Sequence, residues 1–183
     1  LGLLFFTYSS FGQEKTMPSK ILGEQRTILI HVPKGNERFP VLYLLDGASN
    51  FDRVVSTTEY LSAEGLCPSM IIVGIIHPDR NIDLVPSPEN QFMSYLEKEV
   101  MPFIDSNYPT TKFKTLVGHS LGGLTVVNTL LHQPGLFNSY ISLEAALWWE
   151  NQKIVKEAKQ VLPTSNYKGK TLFVAIANRM EKG

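Results

Sequence analysis

The sequence has one cysteine, Cys67, in 183 residues, so an internal disulfide is excluded. Cys67 reads as a small buried residue, because no neighbouring histidine is there to make a nucleophile of it. Charge of one sign is also lacking. The 17 Lys and Arg balance the 17 Asp and Glu, leaving no basic field for a polyphosphate backbone, and nucleic acid is not an expected partner. After the amino terminus no apolar run approaches the roughly 20 residues that span a bilayer. His, Cys and carboxylates nowhere show metal-ligand spacing, and the glycine run Gly118–Gly123 lacks the G-x-G-x-x-G order of a dinucleotide loop, so neither metal nor cofactor is expected. Repeats and low-complexity segments are absent too.

With 43% hydrophobic side chains, the chain can bury one good core and is too short for two ordinary enzyme domains. Its first eight residues, Leu1 to Tyr8, are apolar and lead through Ser9-Ser-Phe-Gly12 to the polar Gln13-Glu-Lys15. This pattern is the back half of a secretory signal peptide, with Ser10 and Gly12 at the small-residue positions before the cut. A buried amino-terminal strand is the alternative. The expected organisation is a signal-peptide remnant over 1–12 and one domain over 13–183, periplasmic or secreted and soluble once processed. With no initiator Met and no basic segment before the apolar run, truncation at the start is expected.

Apolar β-rich runs alternate with helical patterns from about residue 20, which predicts an α/β fold. Arg26–Val32 alternates and stops at Pro33-Lys-Gly35, as the outer strand of a hairpin would. Val41–Leu45 and Met70–Ile76 are continuous apolar runs expected at the sheet centre. A helix over Asn50–Glu64 closes at Gly65 and supplies their crossover. Gln91–Asn107 reads as one long helix kinked by Pro102. A strand over Lys114–Val117 runs through glycines into a helix over Leu124–Leu131. Strands over Phe137–Leu143 and Thr171–Ala177 and a helix near Glu150–Val161 complete the order.

Gly118-His119-Ser120-Leu121-Gly122 matches G-x-S-x-G between an apolar strand and a helix. In that setting the pattern bends the chain sharply enough to raise a serine hydroxyl above the sheet, and glycines on either side remove colliding β-carbons. The nucleophile is expected to be Ser120. At a helix amino terminus, unpaired N–H groups favour developing negative charge, so Leu121 N–H is one expected oxyanion donor. The second is expected from the loop Asp46-Gly47-Ala48-Ser49, at Ala48 and with Gly47 next.

Val41-Leu-Tyr-Leu-Leu-Asp-Gly47, Val117-Gly-His-Ser-Leu-Gly-Gly123 and Leu147-Trp-Trp149 together resemble the putative-esterase family of α/β-hydrolases, over about residues 20–183. Within it the chain is most similar to the branch holding the trilactone siderophore esterases, since Arg80-Asn-Ile-Asp-Leu-Val-Pro86 resembles that branch's R-x-x-D-x-T-P. Val85 replaces the usual Thr, only Ser87-Pro-Glu89 stands where a glycine-rich loop is common, and Glu144-Ala-Ala146 stands where S-P-S is common. The resemblance implies a mostly parallel sheet with helices on both faces and a carboxyl-terminal part lying beyond this sequence. It also implies a serine esterase acting on a small-molecule ester, with siderophore lactones and acylated sugars as candidate substrates.

A serine hydroxyl needs a base, and in such folds it is a histidine late in the chain, after the acid. None of the four histidines suits. His119 sits inside the elbow and points away, His132 ends its helix and His31 precedes the core strands; His77, near a strand's carboxyl end, is a candidate for lining the cleft. The base is therefore expected beyond residue 183. Glu181 is either the carboxylate that orients it or an exposed charge. Arg80 either pairs with Asp83 or meets an anionic substrate. Trp148 and Trp149 either wall the cleft for a ring-bearing acyl group or pack in the core. Acyl transfer to a sugar hydroxyl, or a binding protein with a vestigial elbow, are the competing functions.

Overall fold

The computed structural model describes residues 12–177, which form one seven-stranded sheet in the order β1-β2-β4-β3-β5-β6-β7. Its centre is β3 (Phe39–Leu44), β4 (Ile71–Ile75) and β5 (Thr110–His119). β3 runs parallel to both neighbours, pairing Leu44 with Gly74 and with Val117. Every residue of β4 is buried, the expected fate of a continuous apolar run covered on both faces. Helix α1 (Gly47–Ala63) makes the crossover between β3 and β4. It starts three residues before the predicted position, because Asp46 adopts a left-handed conformation (φ 54, ψ 43) and turns the chain directly into the helix.

The predicted hairpin is present, but its second strand is not the outer one. β1 (Gln13–Ser19) and β2 (Glu24–His31) pair antiparallel through a turn in which the Gly23 N–H donates to the Ser19 carbonyl at 3.0 Å, and β2 also pairs with β4. β1 is almost wholly exposed, so it carries no apolar alternation to betray it. β2 buries Arg26, Ile28 and Ile30 on one side.

The single helix expected over Gln91–Asn107 is three pieces. Helix α2 (Arg80–Leu84) is followed by α3 (Phe92–Tyr95), a π-helical turn over Leu96–Val100, and α4 (Met101–Asn107). The Met101 N–H donates to the Leu96 carbonyl. Proline offers no N–H and collides with the carbonyl four residues back, and the widened turn just before Pro102 absorbs that misfit without breaking the helix.

Beyond β5 come α5 (Leu121–His132), β6 (Ser139–Leu143), α6 (Trp149–Val161) and β7 (Thr171–Ala175), with β5, β6 and β7 parallel. Helices α3 to α6 cover one face, over a core that includes Tyr43, Leu116, Tyr140 and Ile104. Helix α1 covers the other through Phe51 and Val55 on Leu42, Leu44 and Val117. β7 is an edge strand, and Phe173 there is 59% exposed, with Leu172, Val174 and Ile176 also open. An apolar edge with an unpaired ladder templates association. The isolated 183-residue polypeptide is thus expected to aggregate or to melt with low cooperativity, and a sharp, concentration-independent thermal transition would contradict this.

Candidate functional site

Ser120 lies between the last residue of β5 and the first of α5, at φ 57, ψ −114. Non-glycine residues avoid this region at a cost of about 1–3 kcal/mol. Three backbone bonds hold it there. The Ser120 N–H donates to the Leu143 carbonyl (3.0 Å), and the Ser120 carbonyl accepts from Leu124 N–H and Ala146 N–H (both 3.0 Å). The side chain is half-buried, and among the described residues nothing takes a hydrogen bond from its hydroxyl.

The surrounding glycines are there for space. A β-carbon on Gly118 would sit 2.3 Å from the Gly122 carbonyl oxygen, and one on Gly123 would sit 2.9 Å from Ala145 Cα. Gly118→Ala therefore pushes backbone against backbone at the first turn of α5. A loss of about 2–3 kcal/mol is expected, in the range for overpacking, measurable as a lowered urea midpoint. A midpoint within experimental error of the parent would show that the turn is not tight.

Two sets of unspent amides lie near the carboxyl ends of β5 and β3. Leu121 opens α5, and Gly47 and Ala48 open α1; among the described residues no acceptor takes their N–H groups. Asp46, preceding α1, makes no side-chain cap to that helix. Its carboxylate is gripped by Arg80 instead, Nε to Oδ1 and Nη2 to Oδ2 at 2.9 Å each. This hydrogen-bonded pairing raises the Arg80 guanidinium above its ordinary value against some opposing burial. The expected Arg80–Asp83 pair is thereby corrected. Arg80 faces Asp46, and Asp83 faces inward.

Asp83 is buried and accepts from Arg26 Nη2 while its Oδ2 lies 2.7 Å from His77 Nδ1. Arg26 also reaches Glu24 Oε1 at 2.5 Å and lies over the Tyr95 ring. Burial pushes the Tyr95 phenol up to about 12. The expectation that His77 lines the cleft is likewise corrected, since its side chain is 2% exposed and its ring packs 5.0 Å from that of Phe92. Nor do the other histidines approach Ser120: His31 pairs with Glu59, His132 pairs with Glu157, and His119 projects outward.

Trp148 is 69% exposed on the loop whose Ala146 N–H braces Ser120. It stands 5.8 Å from the partly buried Trp149 ring, so only Trp149 packs on the core. Glu144 follows β6 at φ 47, and its Oε1 accepts from Ala177 N–H, just past β7, at 3.0 Å. Glu181 and the apolar run over 1–11 lie outside the described residues. A separate groove of about 440 Å³ runs between α5, α6 and the loop after α2, past Pro86, Leu124, Asn128 and Trp149. Thr125, on its wall, donates to the Leu84 carbonyl at 2.6 Å. Among the described residues no three His, Cys, Asp or Glu side chains converge to hold a metal ion. None of the described helices is long and apolar enough to cross a membrane.

The partners of Arg80 and Asp83 are what the sequence reading missed. For Asp83 a signal existed, since Arg26 occupies an inward position in an alternating strand. Asp46 lies 34 residues from Arg80 and gives no local cue.

A family model for putative esterases matches residues 19–179. The siderophore triacetylfusarinine C esterase of Aspergillus fumigatus is 27% identical over 154 residues, covering 71% of this chain and 52% of that protein. The ferri-bacillibactin esterase BesA of Bacillus subtilis is 26% identical, covering 84% and 65%. Among solved structures, an IroE-like serine hydrolase from Shewanella oneidensis superposes with a TM-score of 0.85 at 33% identity, covering 91% of this chain and 61% of that one. The chain thus spans about half to two thirds of the length of these relatives.

Proposed function

Because the chain belongs to the putative-esterase family, we propose that the full-length protein hydrolyses carboxylic esters through an acyl intermediate on Ser120, with siderophore lactones as the substrate class. The backbone of Ser120 carries this reading. A non-glycine residue held at φ 57, ψ −114 by three main-chain bonds, at the head of a helix and the end of a central strand, is strain with a use: it presents one hydroxyl.

In this mechanism the Ser120 oxygen attacks the ester carbonyl as its proton passes to a base. Negative charge gathers on the carbonyl oxygen, where Leu121 N–H and Ala48 N–H receive it. Collapse expels the alcohol, which takes the proton back, and water then releases the acid by the same route. The base is a histidine from polypeptide beyond residue 183, since the four present are engaged or directed elsewhere, and Glu181 is the carboxylate that orients it. Trp148 offers a ring-bearing acyl group a flat apolar wall. The relatives named as siderophore esterases support the lactone assignment, and the apolar run at residues 1–8 supports a place outside the cytoplasm.

The test incubates the full-length protein with p-nitrophenyl acetate, with a trilactone siderophore, and with a fluorophosphonate. Turnover of both esters and a single phosphonate on Ser120 are expected. An unlabelled serine with no turnover would overturn the proposal, and product passing to an added sugar in preference to water would make the protein an acyltransferase.

A further inference from the structure

An aspartate just before a helix ordinarily turns its carboxylate onto the N–H groups of the first turn. Asp46 occupies that position before α1 and does not do so. Its two oxygens are taken by the forked guanidinium of Arg80, at 2.9 Å each. The carboxylate is thereby drawn off toward α2, leaving the N–H groups of Gly47 and Ala48 without an acceptor among the described residues. The same carboxylate lies against the nucleophile helix, where a β-carbon on Gly122 would come within 3.4 Å of Asp46 Oδ2. Arg80 is itself held in place. Asp79 caps α2, Asp83 anchors it to Arg26 and His77, and the Leu84 carbonyl accepts from Thr125 on α5.

We propose that Arg80 is a positioning residue that keeps the Asp46 carboxylate from capping α1, so that the Gly47 and Ala48 amides remain free to receive the oxyanion. Its catalytic consequence rests on the ester-hydrolase reading above. Without the guanidinium, the carboxylate swings onto the Ala48 amide and fills the place of the developing oxyanion with a like charge. A short bidentate fork is what this task requires, since a lysine ammonium would hold one oxygen and free the other.

The decisive comparison is Arg80→Ala against the double variant Arg80→Ala with Asp46→Ala, in the full-length protein and on neutral p-nitrophenyl acetate. Losing an oxyanion donor costs about 100- to 1,000-fold in kcat. Arg80→Ala should accordingly lose about 100-fold in kcat with KM within about threefold, and Arg80→Lys should lie between it and the parent. Removing the stray carboxylate in the double variant should restore about tenfold. If Arg80 merely braced the fold, the double variant would be no faster than the single one. If Arg80 bound the substrate's negative charge, its loss would raise KM for anionic esters and spare the neutral one. Either result overturns the proposal. A second readout needs no turnover: Ala48 amide exchange should slow in Arg80→Ala, as a new cap protects it, and unchanged exchange also overturns the proposal. A parent that neither turns over nor takes the phosphonate would sink the ester-hydrolase reading instead, and amide exchange would still judge the loop.

Discussion

Ser120→Ala is expected to lower turnover by at least about 10,000-fold, because a nucleophile acts as a unit with its base and its removal leaves only binding and the oxyanion donors. Stability should change little, since alanine keeps the same β-carbon at φ 57, ψ −114 and the side chain spends no hydrogen bond on the described fold. Ser120→Gly should be equally inactive and more stable than Ser120→Ala by about 1 kcal/mol, the strain released on losing the β-carbon less the added freedom of the unfolded chain. Steady-state rates and urea midpoints on the three proteins check both parts. Appreciable turnover by Ser120→Ala would remove Ser120 from the chemistry. A glycine variant less stable than the alanine one would show that the bend is unstrained.

Asp83→Ala is expected to destabilise the protein by about 3–5 kcal/mol. Asp83 is 5% exposed and faces Arg26, itself 2% exposed, so truncation strands a buried guanidinium whose remaining carboxylate, Glu24, is half in solvent. Breaking one side of a buried pair costs that much, whereas replacing both sides with apolar residues can be nearly neutral. The double variant Arg26→Met with Asp83→Leu should therefore recover much of the loss. Because α2 hangs from Asp83 while Arg80 projects from it, Asp83→Ala should also slow turnover wherever the fold survives. Denaturant unfolding of the two variants decides the matter: equal destabilisation would mean that charge isolation is not the cause.

Legibility in the sequence followed the range of the forces involved. The elbow could be read because its requirements are local: Gly118 and Gly123 leave room that backbone atoms occupy, and the strand and helix beside them have the right periodicity. β3 and β4 were legible for a similar reason, as continuous apolar runs have few places to go. β1 was not, because Gln13–Ser19 is a polar edge strand that only its partner defines. The spacing of Arg80 and Asp83 suggested a local pair, but Asp83 points into the protein and Arg80 reaches Asp46 across the chain. The π-helical turn before Pro102 escaped because a proline announces a misfit without saying how the helix will resolve it.

The bracing of Ser120 also sets what evolution can alter beside it. The bonds that hold Ser120 come from main-chain groups of Leu143, Leu124 and Ala146, so none of those bonds depends on which side chain those positions carry. One chemical property is not negotiable there. Position 146 must keep a hydrogen on its nitrogen, which bars proline there, just as the bond from the Glu144 N–H to the Ala175 carbonyl bars it at 144.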